Sequence, residues 1–107
     1  MDSLNTSKIL SLVGLARRAG KTVIGTDLVI TTVKAGKASI VLIASDVSER
    51  TEKQLCDKCF SHNVKLVSLS ATREEMAKAA GKSSPVSAVA VTDRNFTAGI
   101  VKLLQAE

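Results

Sequence analysis

The chain has 107 residues, near the usual size of one domain, and 45% of them are apolar, the ordinary globular share. Fifteen Lys and Arg stand against ten Asp and Glu, a net charge of +5 that favours polyanionic partners without saying anything about fold. These figures exclude a disordered chain, and the longest unbroken apolar stretch, Ile40 to Ala44, is too short to span a bilayer.

Leu4 to Ala19 places Ile9, Leu12, Val13 and Ala16 at helical spacing, and Gly20 stands where a left-handed residue would end that helix. Lys21 to Ile24 reads as a short strand. Gly25-Thr26-Asp27 offers capping chemistry for a helix through Leu28, Val29, Thr32 and Val33, stopped by Gly36. Ser39 to Ala44 is apolar on both faces, as a buried central strand should be. Ser48 caps a helix with Glu49 and Glu52 in its first turn, running to about His62, with Asn63 suited to the left-handed position beyond. Val64 to Leu69 alternates like a strand with one covered face. Thr72 and Glu75 form a capping box for a short helix ending at Gly81. Val86 to Val91 is a further strand, and a last helix from about Asp93 carries Phe96, Ile100, Leu103 and Leu104 on one stripe.

The alternation of helix and strand predicts a single domain over residues 1–107, with a sheet between two helical layers that would by default be mostly parallel. No secretory signal is visible, since Asp2 precedes any cation and Lys8, Arg17 and Arg18 interrupt or follow the apolar positions, so a cytoplasmic location is expected.

The first forty residues hold Lys8, Arg17, Arg18, Lys21, Lys34 and Lys37 against Asp2 and Asp27 only. There is no Trp or Tyr, and the two Phe, Phe60 and Phe96, fall on apolar helix positions. Single-strand readers stack bases on aromatic side chains, and this chain has no supply of them. A nucleic-acid partner would have to be recognised through backbone, hydrogen bonds and shape.

The candidate chemistries fail one by one. Gly20-Lys21-Thr22 resembles the end of a phosphate-binding Walker loop, but Leu15 occupies the required first glycine and the segment leaves a helix instead of entering one. Cys56-Asp57-Lys58-Cys59 lies two turns inside a helix, away from the N-terminus that activates redox thiols, and no second pair completes a zinc site. Buried, reduced cysteines are the expectation. His62 sits at a helix end, where it suits the dipole better than acid–base work. No serine lies in a nucleophile elbow. Neither catalysis nor a cofactor, metal, membrane or small-molecule substrate is expected.

Two loops remain. Thr22 to Asp27 joins a glycine to a helix start, where backbone N–H groups can hold a phosphate, and Gly81 to Pro85 adds a lysine and two hydroxyls. With Gly25-Thr26-Asp27, Gly36-Lys37-Ala38 and Ile43-Ala44-Ser45-Asp46 in order, the chain resembles the kink-turn-binding ribosomal protein superfamily, the L-seven-A-e, L-thirty-e and Gadd-forty-five group. Gly14-Leu15-Ala16-Arg17-Arg18-Ala19-Gly20-Lys21, with Asp57-Lys58-Cys59, Ala80-Gly81-Lys82 and Val89 to Asp93, brings it closer to a small bacterial branch of ribosomal-type proteins, over essentially the whole chain.

The resemblance implies an α/β/α sandwich with a four-stranded mixed sheet, and binding to sharply bent RNA by the helix after the first strand. There the well-studied branch reads Gly-x-Asn-Glu-x-x-Lys. Here Gly25 keeps the glycine, while Asp27, Leu28 and Thr31 replace the Asn, Glu and Lys. Lys82 and Ser84 stand about where apolar wedge residues are common. The expected RNA-binding set is therefore Arg17, Arg18, Lys21, Gly25, Thr26, Asp27, Leu28, Thr31, Lys34, Lys37, Lys82, Ser83 and Ser84. The expected partner is structured RNA, ribosomal RNA among the candidates, bound by a monomer. The alternative is a protein–protein adaptor on the same fold.

Overall fold

A computed structural model of the chain describes residues 3–105. Among them the elements run α1 (Ser3–Arg18), β1 (Thr22–Ile24), α2 (Thr26–Lys34), β2 (Ile40–Ile43), α3 (Glu49–Ser61), β3 (Lys65–Ser68), α4 (Arg73–Ala80), β4 (Ala88–Val91) and α5 (Arg94–Gln105). The order is the one the periodicity predicts, and several ends follow from cap chemistry. Ser48 Oγ accepts from the Thr51 N–H at 3.2 Å. The Thr72 N–H donates to Glu75 Oε1 at 2.9 Å while Thr72 Oγ1 accepts from the Glu75 N–H at 3.2 Å, the reciprocal pair of a capping box. Asn63, at φ 56°, takes the left-handed position after α3.

The four strands form one sheet in the order β1-β4-β2-β3. Only β2 and β3 are parallel; β4 is antiparallel to both its neighbours. This corrects the parallel default and agrees with the mixed sheet that the resemblance implies. The reason lies between β3 and β4. Helix α4 has only 8 residues, and the chain after it doubles back until the Val86 N–H donates to the Arg73 carbonyl at 3.1 Å. That return brings β4 in at the end of the sheet where β3 left it, so β4 must run the other way. Alternation of element types cannot show that a helix fails to cross the sheet.

Strands β2 and β4 are buried at every residue, and their successive side chains serve opposite layers. Ile40, Leu42, Val89 and Val91 meet Ile9 and Val13 of α1, Met76 of α4 and Ile100 of α5. Val41, Ile43, Ala88 and Ala90 meet Val29 and Val33 of α2 and Leu55 and Cys59 of α3. The result is the α/β/α sandwich expected, with α1, α4 and α5 on one face and α2 and α3 on the other. The short Ala88 and Ala90 side chains leave room for α2 to approach β4 closely.

Two expectations for α3 are corrected. Phe60 is 87% exposed instead of lying on the apolar stripe, because Leu55 and Cys59 already take the inward positions and the next residue is turned about 100° away. Likewise Cys59 is buried, at 2% exposure, but Cys56 is exposed. Burial, and secondarily the neighbouring Cys56, pushes the Cys59 thiol up to about 11 from its ordinary 9.0. Iodoacetamide at pH 8 should therefore alkylate Cys56 in the native protein and reach Cys59 only on unfolding, as mass spectrometry would show. Equal rates at both would contradict this packing. An unfolded chain releases the Cys59 proton near 9.0 while the folded chain holds it to about 11, so stability should fall as pH rises through that window.

Candidate nucleic-acid interface

Gly25 is the N-cap of α2, with φ 107° and ψ 142°, a conformation that side chains other than glycine's hydrogen do not readily adopt. Its N–H donates to the Ala88 carbonyl at 3.1 Å, tying the turn between β1 and α2 to the start of β4. The cap is thus glycine backbone; neither Thr26 nor Asp27 caps by its side chain, in contrast to the sequence expectation. The first helical bond of α2 is from the Val29 N–H to the Gly25 carbonyl at 2.9 Å. The amides of Thr26, Asp27 and Leu28, orphans of any helix start, are left without a side-chain acceptor.

Facing this turn is the segment from α4 to β4. Ile24, Gly25 and Thr26 on one side, and Lys82 to Ser87 on the other, line an open cleft of about 290 Å³. Gly81 closes α4 in the left-handed conformation at φ 68°. A Cβ there would come within 2.8 Å of Arg17 Cζ, so the Arg17 guanidinium lies directly over the glycine that leads into Lys82. Lys82, Ser83, Ser84 and Pro85 are exposed. The cleft therefore offers unspent helix-start amides, two hydroxyls and an ammonium, with a guanidinium beside its second wall.

The expected residues divide. Gly25, Thr26, Lys82, Ser83 and Ser84 converge on the cleft. Asp27 and Leu28 follow in the first turn of α2, both exposed, Leu28 at 61%. Thr31 is exposed one turn further on, its Oγ1 donating to the Asp27 carbonyl at 3.0 Å. Arg17 and Arg18 line a groove between α1 and α4 that also holds Lys78 and Glu75. Lys21, Lys34 and Lys37 lie elsewhere. Lys34 ends α2, whose 9 residues carry it about 12 Å from Thr26. Lys37 and Lys21 are at the opposite end of the sheet, where the Lys21 carbonyl accepts from both the N–H and the hydroxyl of Thr92 at 2.9 and 3.2 Å. Lys8 lines a separate groove with Lys102, and the other basic residues of the first forty form two stations, not one face.

This architecture and the paired loops define a protein class. A family model for the Ribosomal protein L7Ae/L30e/S12e/Gadd45 family matches residues 7–100, and the chain belongs to that family. It is 39% identical over 93 residues to RNA-binding protein YlxQ of Bacillus subtilis (strain 168), covering 87% of this chain and 91% of that protein. Against RNA-binding protein YlxQ of Enterococcus faecium it is 33% identical over 105 residues, covering 98% and 99%. Among solved structures, a protein of unknown function from Bacillus halodurans C superposes with TM-score 0.84 at 32% identity, over 92% of this chain and 97% of that one. The Giardia lamblia 15.5kD RNA binding protein superposes with TM-score 0.83 over 99% and 92%; at 22% identity it attests the shared fold.

Among the described residues no helix is long and apolar enough to cross a membrane, and no group of three His, Cys, Asp or Glu could hold a metal ion.

Proposed function

We propose that this protein is a non-enzymatic, cytoplasmic RNA-binding protein associated with ribosomal or other structured RNA, recognising a sharp bend of the kink-turn kind as a monomer. The convergence of the Gly25 turn and the Lys82–Ser84 loop on one cleft carries the reading. The family membership and the RNA-binding relatives support it. Glycine lets a backbone come close, the amides of Thr26 to Leu28 suit phosphate oxygens, and Lys82 and Arg17 supply charge on the far wall. With Asp27 an acceptor only, and Leu28 and Thr31 uncharged, the cleft reads phosphate and shape more than base identity.

The test is a titration of a kink-turn RNA and an unkinked duplex of equal length at two salt concentrations. Selective binding of the kinked RNA, moderately salt-sensitive, is the expected outcome. Lys82→Ala should weaken it and reduce the slope of log K against log salt by about one. Equal weak binding of both RNAs would sink the kink-turn reading. The adaptor alternative draws on Leu28 and Phe60, large apolar side chains left exposed. Leu28, exposed in the first turn of α2 beyond the cleft, should then matter more to a protein partner than Lys82 does.

A further inference from the structure

At the end of the sheet away from the Gly25 cleft, a second open cavity of about 710 Å³ lies between the turn after α2 and the start of α5. The turn after α2 contributes Lys37 to its lining and α5 contributes Arg94, with Thr32, Ser39 and Thr92 on its walls. Among the described residues neither cation has a carboxylate within ion-pair distance; the ion pair found there is Asp46 with Arg73, elsewhere on the molecule. The nearest carboxylate in sequence, Asp93, is engaged, its Oδ2 accepting from the Phe96 N–H at 3.0 Å. Thr32 and Thr92 spend their hydroxyl protons on backbone carbonyls, whereas the Ser39 hydroxyl is free to donate.

Folding thus brings two cations that are far apart in sequence to one half-walled space without neutralising either. Two unpaired cations on the lining of one open cavity leave its walls positively charged, which favours an anion there. Lys34 and Lys21 flank the same end of the sheet, while Asp27 stands at the other end of α2.

We propose that this cavity is a second phosphate-binding site, taking phosphodiester groups of the duplex arm that leaves the kink held at the Gly25 cleft. The ligand chemistry is a phosphate oxygen held by the Lys37 ammonium, the Arg94 guanidinium and the Ser39 hydroxyl. The assignment of that phosphate to an RNA arm rests on the function proposed above; the anion site itself does not. Helix α2, about 13 Å long for its 9 residues, is the spacer between the two stations, a length a few base pairs of duplex would cover.

The experiment has two arms, on the wild type and on the doubly substituted Lys37→Gln, Arg94→Gln chain. Both substitutions are of exposed side chains, so an unchanged amide NMR spectrum elsewhere verifies folding. In the first arm inorganic pyrophosphate is titrated and the amides of residues 36–39 and 92–94 are followed. They should shift in the wild type and not in the variant; unmoved wild-type amides would overturn the site. In the second arm a kink-turn RNA with its arm cut short is compared with one whose arm is extended. The extended arm should strengthen wild-type binding roughly tenfold, and the variant should lose that gain together with about two units of salt slope. A gain that survives in the variant, or no gain in the wild type, overturns the RNA arm as the source of the phosphate. Pyrophosphate shifts with no binding of either RNA would sink the RNA reading and leave the anion site standing for a smaller phosphorylated ligand.

Discussion

Gly25→Ala should destabilise the protein by about 1–3 kcal/mol and weaken RNA binding by roughly tenfold or more. The space around Gly25 is empty, with nothing within 4 Å of an added Cβ, so the penalty is not a collision with a neighbour. It arises in the backbone, since φ 107° with ψ 142° places the residue where a Cβ meets its own flanking peptide groups. An alanine can stay there under strain or rotate out. Rotation moves the N–H that donates to Ala88 and the carbonyl that accepts from Val29, which together fix the helix start against β4. Either way, the Thr26–Leu28 amides lose their aim, and charge-assisted hydrogen bonds from such donors depend steeply on angle.

Urea unfolding of the purified variant reads the first effect, and the RNA titration, run well below its unfolding midpoint, reads the second. A loss of stability with full RNA affinity would show that the turn is structural and that the cleft does not hold the bend. No change in either would mean that the turn relaxes freely.

Much of this was legible in the residues, and what was not has definite causes. Ser48, Thr72, Glu75, Asn63 and Gly81 announce their helix ends because a cap is a contact between near neighbours in sequence. Strands β2 and β4 are visible as unbroken apolar runs because both faces are covered. The direction of β4 is invisible, since it depends on α4 stopping short and the Lys82–Val86 segment turning back.

The cleft was found by resemblance; the residues alone favour two ordinary connections. Closeness in sequence groups Lys34 and Lys37 with Gly25, yet a helix that runs back along the sheet delivers them to its other end. Arg94 carries no signal in the sequence, because the cavity it shares with Lys37 is formed by segments far apart along the chain. Phe60 departs from the expectation because an aromatic residue one step from an inward cysteine matches a helical stripe only approximately.

Leu42→Ala should destabilise the fold by about 2–5 kcal/mol, against the 5–15 kcal/mol that holds a typical domain together. Leu42 is fully buried in β2, a central strand between β4 and β3, and its side chain points to the layer of α1, α4 and α5. Its register partners are Val89 on β4 and Val67 on β3, so it sits where the antiparallel and parallel ladders share one strand. Removing three carbons opens a void that close-packed Ile9, Met76 and Ile100 can fill only by shifting their helices. Two of those helices border the second wall of the Gly25 cleft, for α4 ends at Gly81 and α1 presents Arg17 over it. The variant should show a lower urea midpoint with an unchanged m-value, and any shift of α1 or α4 should appear as a loss of RNA affinity in the fraction that remains folded. An unfolding free energy within about 1 kcal/mol of the wild type would mean that this layer closes over the void, and that the sandwich is less tightly registered on β2 than its burial indicates.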